Sequence, residues 1–509
     1  MATLGSIKTW DDEADIVIVG CGLSGTVAAI TTFDTNPDTD VLIIEKNPAG
    51  LEGGNSRASG QSLWCPEVED LELVKDYQRS LSHPNPPPEE LLHSWAEGMV
   101  SLEPWLIQMA EEAGHKYVRE NRASDVVELI VEFEELPGSE SVRFNSTITP
   151  NPSGVWNTFK FHLDKRRPNI RLKNDTKILD LIQDGDSLEV FGIIAEKEGK
   201  RLAIKARKAV IMATGSFDNN LEMQRDYWGA DRIYHLGNPA NTGEGVKILQ
   251  KAGADMWHMR NFNQSGGLWP SMKFPEFEAA FFKSIRWKAW SWLEIGADGK
   301  RFYNEAEQYS LTHYRQKINN VWRDTPHNWV LPVHNIFDES MRLSGPLTTE
   351  WMSWNTVVLG YKWSPDNSVE IDKGWIKKAD SIRELAEIIS RDPASLEAEV
   401  QKYNRYAKLG LDEDFGRSAE RMAPIVKPPF YAVEIVPAIV AHTAGGKRNV
   451  KSQVMDIYGR PIPRLFEVGE MGSIVANIYQ NGTFLTECMI SGRIAAREAL
   501  SLDSWESQD

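Results

Sequence analysis

Cysteine is scarce. Cys21, Cys65 and Cys488 are the only three in 509 residues, and they lie far apart. No CxxC pair occurs, which argues against a zinc site, a cysteine-ligated iron–sulfur cluster and a disulfide framework. No metal site is expected, and a reducing compartment such as the cytoplasm suits the chain. Long hydrophobic runs are missing too. The apolar stretch at residues 16–30 is glycine-broken and shorter than the roughly 20 residues of a membrane helix. The first residues, MATLGSIKTWDDEAD, lack a basic n-region and an apolar h-region, so no secretory signal is expected. Basic residues are outnumbered 56 to 73, a formal charge of −17 that speaks against nucleic acid and anionic membrane as partners. What remains is an ordinary globular composition, 41% apolar and 25% charged. At about 100–200 residues per domain, the length allows two to four domains.

Short apolar runs at residues 16–19, 41–44, 209–213 and 465–468 each head towards a glycine or an acidic residue. Runs of this length read as buried parallel strands, and residues 25–33 between the first two read as a helix, making a βαβ unit. Pro84 to Pro88 form a turn before a helix beginning near Glu89. A different texture follows. Eleven of the eighteen tryptophans fall between Trp257 and Trp375. Helices are expected at 380–389, capped by Asp380 or Ser381, and at 393–409. The tryptophan-rich segment reads as an inserted second domain, its indoles mostly core and some lining an apolar pocket.

Gly20-Cys21-Gly22-Leu23-Ser24-Gly25 is a GxGxxG loop directly after the first strand, and Glu45 follows Gly25 by 20 residues at the end of the second. Gly20 makes the tight turn, Gly22 lets a pyrophosphate approach the backbone, and Gly25 lets the helix pack against the strand. The helix N-terminus supplies N–H donors, and the Glu45 carboxylate can bind ribose hydroxyls. This combination predicts dinucleotide binding.

Further motifs narrow the cofactor. Gly53-Gly54-Asn55-Ser56 with Ser59-Gly60, Ala213-Thr214-Gly215-Ser216-Phe217, and Gly469-Glu470 accompany the first loop. Thr242-Gly243-Glu244-Gly245, Arg301-Phe302-Tyr303-Asn304-Glu305 and His442-Thr443-Ala444-Gly445-Gly446 follow in the same order. Together they resemble the flavoproteins of the fumarate reductase and succinate dehydrogenase superfamily. The resemblance implies an α/β fold: a Rossmann-like FAD-binding domain split in sequence, 1–262 and 435–509, with an inserted α+β capping domain, 263–434. It places the active site at their junction, over the flavin. It assigns the ADP half of FAD to Gly20, Gly22, Leu23, Ser24, Gly25, Glu45 and Lys46. Asn55, Ser56, Ser59, Gly60, Ala213, Thr214, Gly215 and Leu485 would lie along the rest of the cofactor, and Glu470 would hold the ribityl chain. Some members attach flavin through a histidine near the Gly54 segment. None occurs between residues 46 and 82, so the FAD is expected to be non-covalent. No second GxGxxG follows a strand, so no separate pyridine-nucleotide domain is expected, and the CxxCH haem motif of some fumarate reductases is absent.

The chemistry follows from substitutions within those motifs. Fumarate reductases carry a proton-delivering arginine four residues after the glutamate of RFxNE. Here that position is Tyr309. Their second arginine follows an asparagine in the C-terminal glycine loop, where Ile478 stands after Asn477. Losing both bidentate forks removes much of the case for a dicarboxylate substrate. Tyr309 and Tyr479 instead resemble the 3-ketosteroid dehydrogenase branch, which uses one tyrosine to transfer a proton and another to bond the substrate carbonyl. A backbone N–H from Gly482 or Thr483 would complete that carbonyl site. His442 matches the substrate-side histidine of fumarate reductases, so the chain mixes two branches. The expected function is FAD-dependent dehydrogenation, or the reverse enone reduction, of a carbon–carbon bond next to a carbonyl. The expected substrate is small and largely apolar, and the electron donor or acceptor is unassigned. Two other readings stay open: a fumarate- or tricarballylate-type enzyme using Arg448 or capping-domain arginines, and a flavin-bearing electron-transfer subunit.

Overall fold

The computed structural model describes residues 2–121, 131–261, 268–284, 288–306, 315–318, 321–324 and 331–508. The chain divides into two compact units, one of residues 1–232, 237–266 and 441–509 and one of 233–236 and 267–440. The first segment thus runs to 266 rather than 262, and the insertion to 440 rather than 434. Residues 233–236, expected in the first domain, belong with the second unit because the strand Tyr234–His235 pairs in parallel with Ala438 and Ile439. Trp257 lies in the first unit, outside the insertion that its neighbours suggested.

The first unit is built on a mostly parallel sheet. Asp12–Val19 is central, with Val41–Ile44 and then Ile170–Lys173 on one side and Lys200–Met212 and then Pro461–Glu467 on the other. All four of these pairings are parallel. Their apolar residues are buried on both faces, which is why the runs are continuous rather than alternating. The run at 209–213 is only the end of a thirteen-residue strand. Its first half pairs antiparallel with Val190–Lys197, half-solvated, and so escapes an apolar-run search. Helix Leu23–Thr35 covers one face with Thr483–Leu500, and their approach is close: a Cβ on Gly492 would stand 2.7 Å from the Ser24 carbonyl oxygen.

Register decides where the loops go. Val19 lies level with Ile44 on one side and Met212 on the other, and Glu467 lies level with Met212. The chain therefore leaves four strands at one edge of the sheet, at residues 20, 45, 213 and 468. Parallel α/β sheets bind ligands outside these carboxyl ends.

The second unit is a mainly antiparallel sheet in which Phe430–Ile439 pairs with Leu268–Met272 and Val333–Asp338, and the latter with Trp292–Ile295. Its two faces differ by strand alternation. Leu293, Ile295, Ile336 and Ala432 meet helices Ile382–Ile388 and Pro393–Leu409 through Leu385, Leu396, Val400 and Tyr403. Trp292, Phe337, Tyr431 and Val433 turn the other way, into a core with Phe274, Phe281, Trp363 and Trp375. The described tryptophans of this unit are thus largely packing residues. Of the two proposed caps, Ser381 is the one used, its hydroxyl accepting from the Glu384 N–H at 3.1 Å.

Candidate cofactor-binding and active site

The four loops at the sheet edge wall a cleft in the first unit. Gly20, Gly22, Leu23, Ser24, Glu45, Lys46, Asn55, Ser56, Ala213, Thr214, Gly215 and Glu470 all line it. Gly25, Ser59, Gly60 and Leu485 do not. Gly25 is a packing residue, since a Cβ there would stand 2.1 Å from the Gly20 carbonyl oxygen. Ser59 and Gly60 form a turn, in which the Ser59 hydroxyl donates to the Ser56 carbonyl at 3.0 Å and accepts from Gln61 Nε2 at 2.8 Å. Leu485 is buried in the core beside Cys488 and Met489. The cleft also takes in Glu244 of the TGEG motif, and Thr176, Ile178, Asn238, Asn241 and Cys488, none of which carries a local motif that marks it.

Three observations fit a dinucleotide. Gly22 caps helix Leu23–Thr35 with φ −79°, which any residue tolerates, and an added Cβ would meet no protein atom nearer than 4.0 Å. Its lack of a side chain is therefore not required by packing; it keeps the cleft open. No side chain caps that helix, so its first N–H groups are left for a ligand, with the positive end of the dipole behind them. Finally, Asp218 Oδ1 is buried near the cleft wall without a hydrogen-bond partner. Glu45 is held ready: its carboxylate accepts the N–H groups of Cys21 at 2.7 Å and Asn47 at 2.8 Å. Burial raises its pKa against those hydrogen bonds. Lys46 donates to Thr242 at 2.9 Å and pairs with Glu244 at 3.1 Å, tying the TGEG segment to the cleft.

Tyr479 and Gly482 meet at the N-terminus of helix Thr483–Leu500. The Gly482 N–H donates to the Tyr479 hydroxyl at 3.2 Å, and the Tyr479 ring stacks on Phe484 at 4.6 Å. Gly482 has φ +89°, and a Cβ would stand 2.7 Å from the Trp64 nitrogen, so no other residue fits. Burial, then the charge of Glu132, pushes the Tyr479 phenol far above its ordinary pKa. It is a neutral O–H, suited to donating rather than to taking a proton.

His442 is fully buried in the first unit. Trp228 Nε1–H donates to its Nε2 at 3.3 Å, so Nδ1 carries the proton and donates to Ser216 Oγ at 2.8 Å. Ser216 in turn donates to the Ala444 carbonyl at 3.0 Å. Burial lowers the imidazole pKa to about 3. Both ring nitrogens are thus taken by protein partners. Arg448 is likewise buried, paired with Glu487 and donating to the Glu467 carbonyl at 3.2 Å. Ile478 is buried as well. Tyr309 lies outside the described residues. The motif before it is a brace: Glu305 pairs with Arg301 at 2.9 Å and Arg417 at 3.0 Å, and Arg301 with Asp412 at 2.8 Å, all buried. Tyr303 donates to Glu294 at 2.6 Å. Among the described residues no group of metal-ligating side chains gathers, and no helix is long and apolar enough to cross a membrane.

A family model described as FAD binding domain matches residues 15–484. The digoxin reductase of Eggerthella lenta is 28% identical over 548 residues, covering 98% of this chain and 89% of that protein. The urocanate reductase of the same organism is 26% identical over 513 residues, covering 96% and 75%. Among solved structures, 3-ketosteroid Δ1-dehydrogenase from Sterolibacterium denitrificans, in complex with 1,4-androstadiene-3,17-dione, superposes with a TM-score of 0.76. It is 19% identical, covering 96% of this chain and 100% of that one, and that likeness is one of fold.

Proposed function

The chain belongs to the FAD-binding-domain family, and from that premise we propose that it oxidises, or in reverse reduces, a carbon–carbon bond next to a ketone-type carbonyl in a largely apolar substrate. It is an FAD-dependent oxidoreductase acting on CH–CH or C=C bonds. The observation that carries the finer reading is the pairing of Tyr479 and Gly482. The Gly482 N–H donates to the Tyr479 hydroxyl at 3.2 Å, so the two groups are gathered at one helix N-terminus, where a carbonyl oxygen that displaces this bond would take both.

FAD, when bound, supplies the two-electron centre for hydride exchange with the substrate carbon. The chain's residues do the rest. Tyr479 and Gly482 polarise the carbonyl, which acidifies the adjacent C–H. Tyr309, four residues after Glu305, takes that proton in dehydrogenation or returns it in reduction. The Arg301–Glu305–Arg417 brace fixes Glu305, four positions before it in the sequence. His442 fixes the loop at Ser216 and Ala444 rather than exchanging protons. The cofactor is non-covalent, because no histidine occurs between residues 46 and 82.

The carboxylate reading loses a clamp, because Arg448 is committed to Glu487 and Ile478 replaces the other arginine. The names of the relatives favour small unsaturated substrates without choosing among them. Anaerobic flavin bleaching across a panel of enones, ketosteroids and dicarboxylates tests the proposal. Enones or ketosteroids should exchange electrons with the flavin. Efficient turnover of fumarate or succinate, with none of the ketones, would overturn it.

A further inference from the structure

We propose that the charge of Asp218, fixed beside Glu470 by the Asn55 amide they share, holds Glu470 protonated, so that Glu470 presents a carboxyl O–H to the cofactor rather than a carboxylate. The inference rests on FAD occupying the cleft.

The geometry leaves little freedom. Asn55 Oδ1 accepts the Asn238 N–H at 2.8 Å, and a Cβ on Gly237 would stand 2.1 Å from that oxygen. The amide is therefore pinned with its NH2 group facing two acids. Asn55 Nδ2 donates to Asp218 Oδ2 at 3.0 Å and to Glu470 Oε2 at 3.0 Å. Asp218 receives a second donor, Asn241 Nδ2, at 3.0 Å. Among the described residues neither carboxylate has an ion-pair partner. Two carboxylates bridged by one neutral amide, one of them buried and neither with a cation beside it, do not both stay ionised. The proton belongs on the acid with fewer donors and with space for an O–H. That is Glu470, which lines the cleft and is half-buried, whereas Asp218 is 2% exposed. Burial, then the charge of Asp218, pushes Glu470 well above the usual carboxylate range. The other titratable groups bearing on Glu470 are Cys488, pushed up to about 12 by burial, and Tyr479, pushed higher still. Both stay neutral while Glu470 titrates.

Asp218 is thus a positioning residue, and its effect is readable without turnover. FAD release from purified holoenzyme on dilution, followed by flavin fluorescence across pH, should give a dissociation constant that is flat in mild acid. It should climb above the Glu470 titration, by up to tenfold per pH unit, the limit for one proton. Asp218→Asn removes the charge but keeps the shape, and should move the break at least one pH unit towards acid. A wild-type profile without a break, or a break that Asp218→Asn leaves in place, would overturn the inference. A wild-type protein that binds no FAD at any pH would remove its premise instead. Should Asp218→Asn fail to fold, infrared spectra of wild-type holoenzyme decide. A carboxylic-acid C=O band should be present at neutral pH and vanish in Glu470→Gln, and its absence from wild type refutes the proposal.

Discussion

In the second unit, Glu305 sits between Arg301 and Arg417, and Arg301 also meets Asp412, all sealed from solvent. In the first, Asp218 and Glu470 meet only the amides of Asn55 and Asn241, and one oxygen of Asp218 has no partner. Both clusters are acids placed by long-range contacts, yet one is saturated from within and the other is not. A saturated ionic cluster is a frame, whose value lies in what its loop presents. An unsaturated one beside a cleft marks a place for a ligand.

The contrast can be broken most severely at Gly22. Gly22→Val should leave a folded protein that purifies without yellow colour, because the branched side chain fills space that no protein atom claims. A variant with full FAD content would mean the cleft binds nothing at this turn. Next is Tyr309. Tyr309→Phe keeps the ring and should slow substrate-driven flavin reduction by about 10²–10⁴-fold with FAD content unchanged, the usual loss for a general acid–base. Stopped-flow rates within a few-fold of wild type would refute the role. Arg417→Met attacks the brace itself. Leaving Glu305 partly uncompensated should cost about 3–5 kcal/mol in urea unfolding, with no change in flavin spectrum. Tyr479→Phe removes one of two carbonyl donors and should lower kcat by about 10²-fold. A change in KM alone would point to binding without polarisation. The smallest effect concerns His442. Its folded pKa of about 3 lies below that of an unfolded histidine, so the unfolded state binds the extra proton and stability falls as pH drops below about 6.5. This group should account for about 2 kcal/mol of the loss by pH 5. His442→Gln should flatten that slope in melting temperatures taken across pH.

The frame and the ligand site were unequally legible. Residues 16–19 and 41–44 read as strands because burial on both faces makes them uniformly apolar, and the loop after them reads from its glycines. The resemblance to known flavoproteins located the outlying cleft segments, including Asn55, Thr214 and Glu470. Asp218, Asn238 and Asn241 could not be read, since each matters only through partners brought close by the fold. His442 stood out as a motif, but its nitrogens are claimed by Ser216 and Trp228, more than two hundred residues earlier in the chain. Residues 233–236 group with the second unit through a two-residue strand, which has no sequence pattern of its own.

The parallel pairing of Pro461–Glu467 with Lys200–Met212 has a bearing on biosynthesis. That strand delivers residues 468–470 to a cleft whose adjoining wall, at residues 20–24, is translated first. A ribosome must therefore have released residues up to 470 before a complete flavin pocket exists. Cofactor capture thus follows the synthesis of residues 468–470, however early the GxGxxG turn has formed.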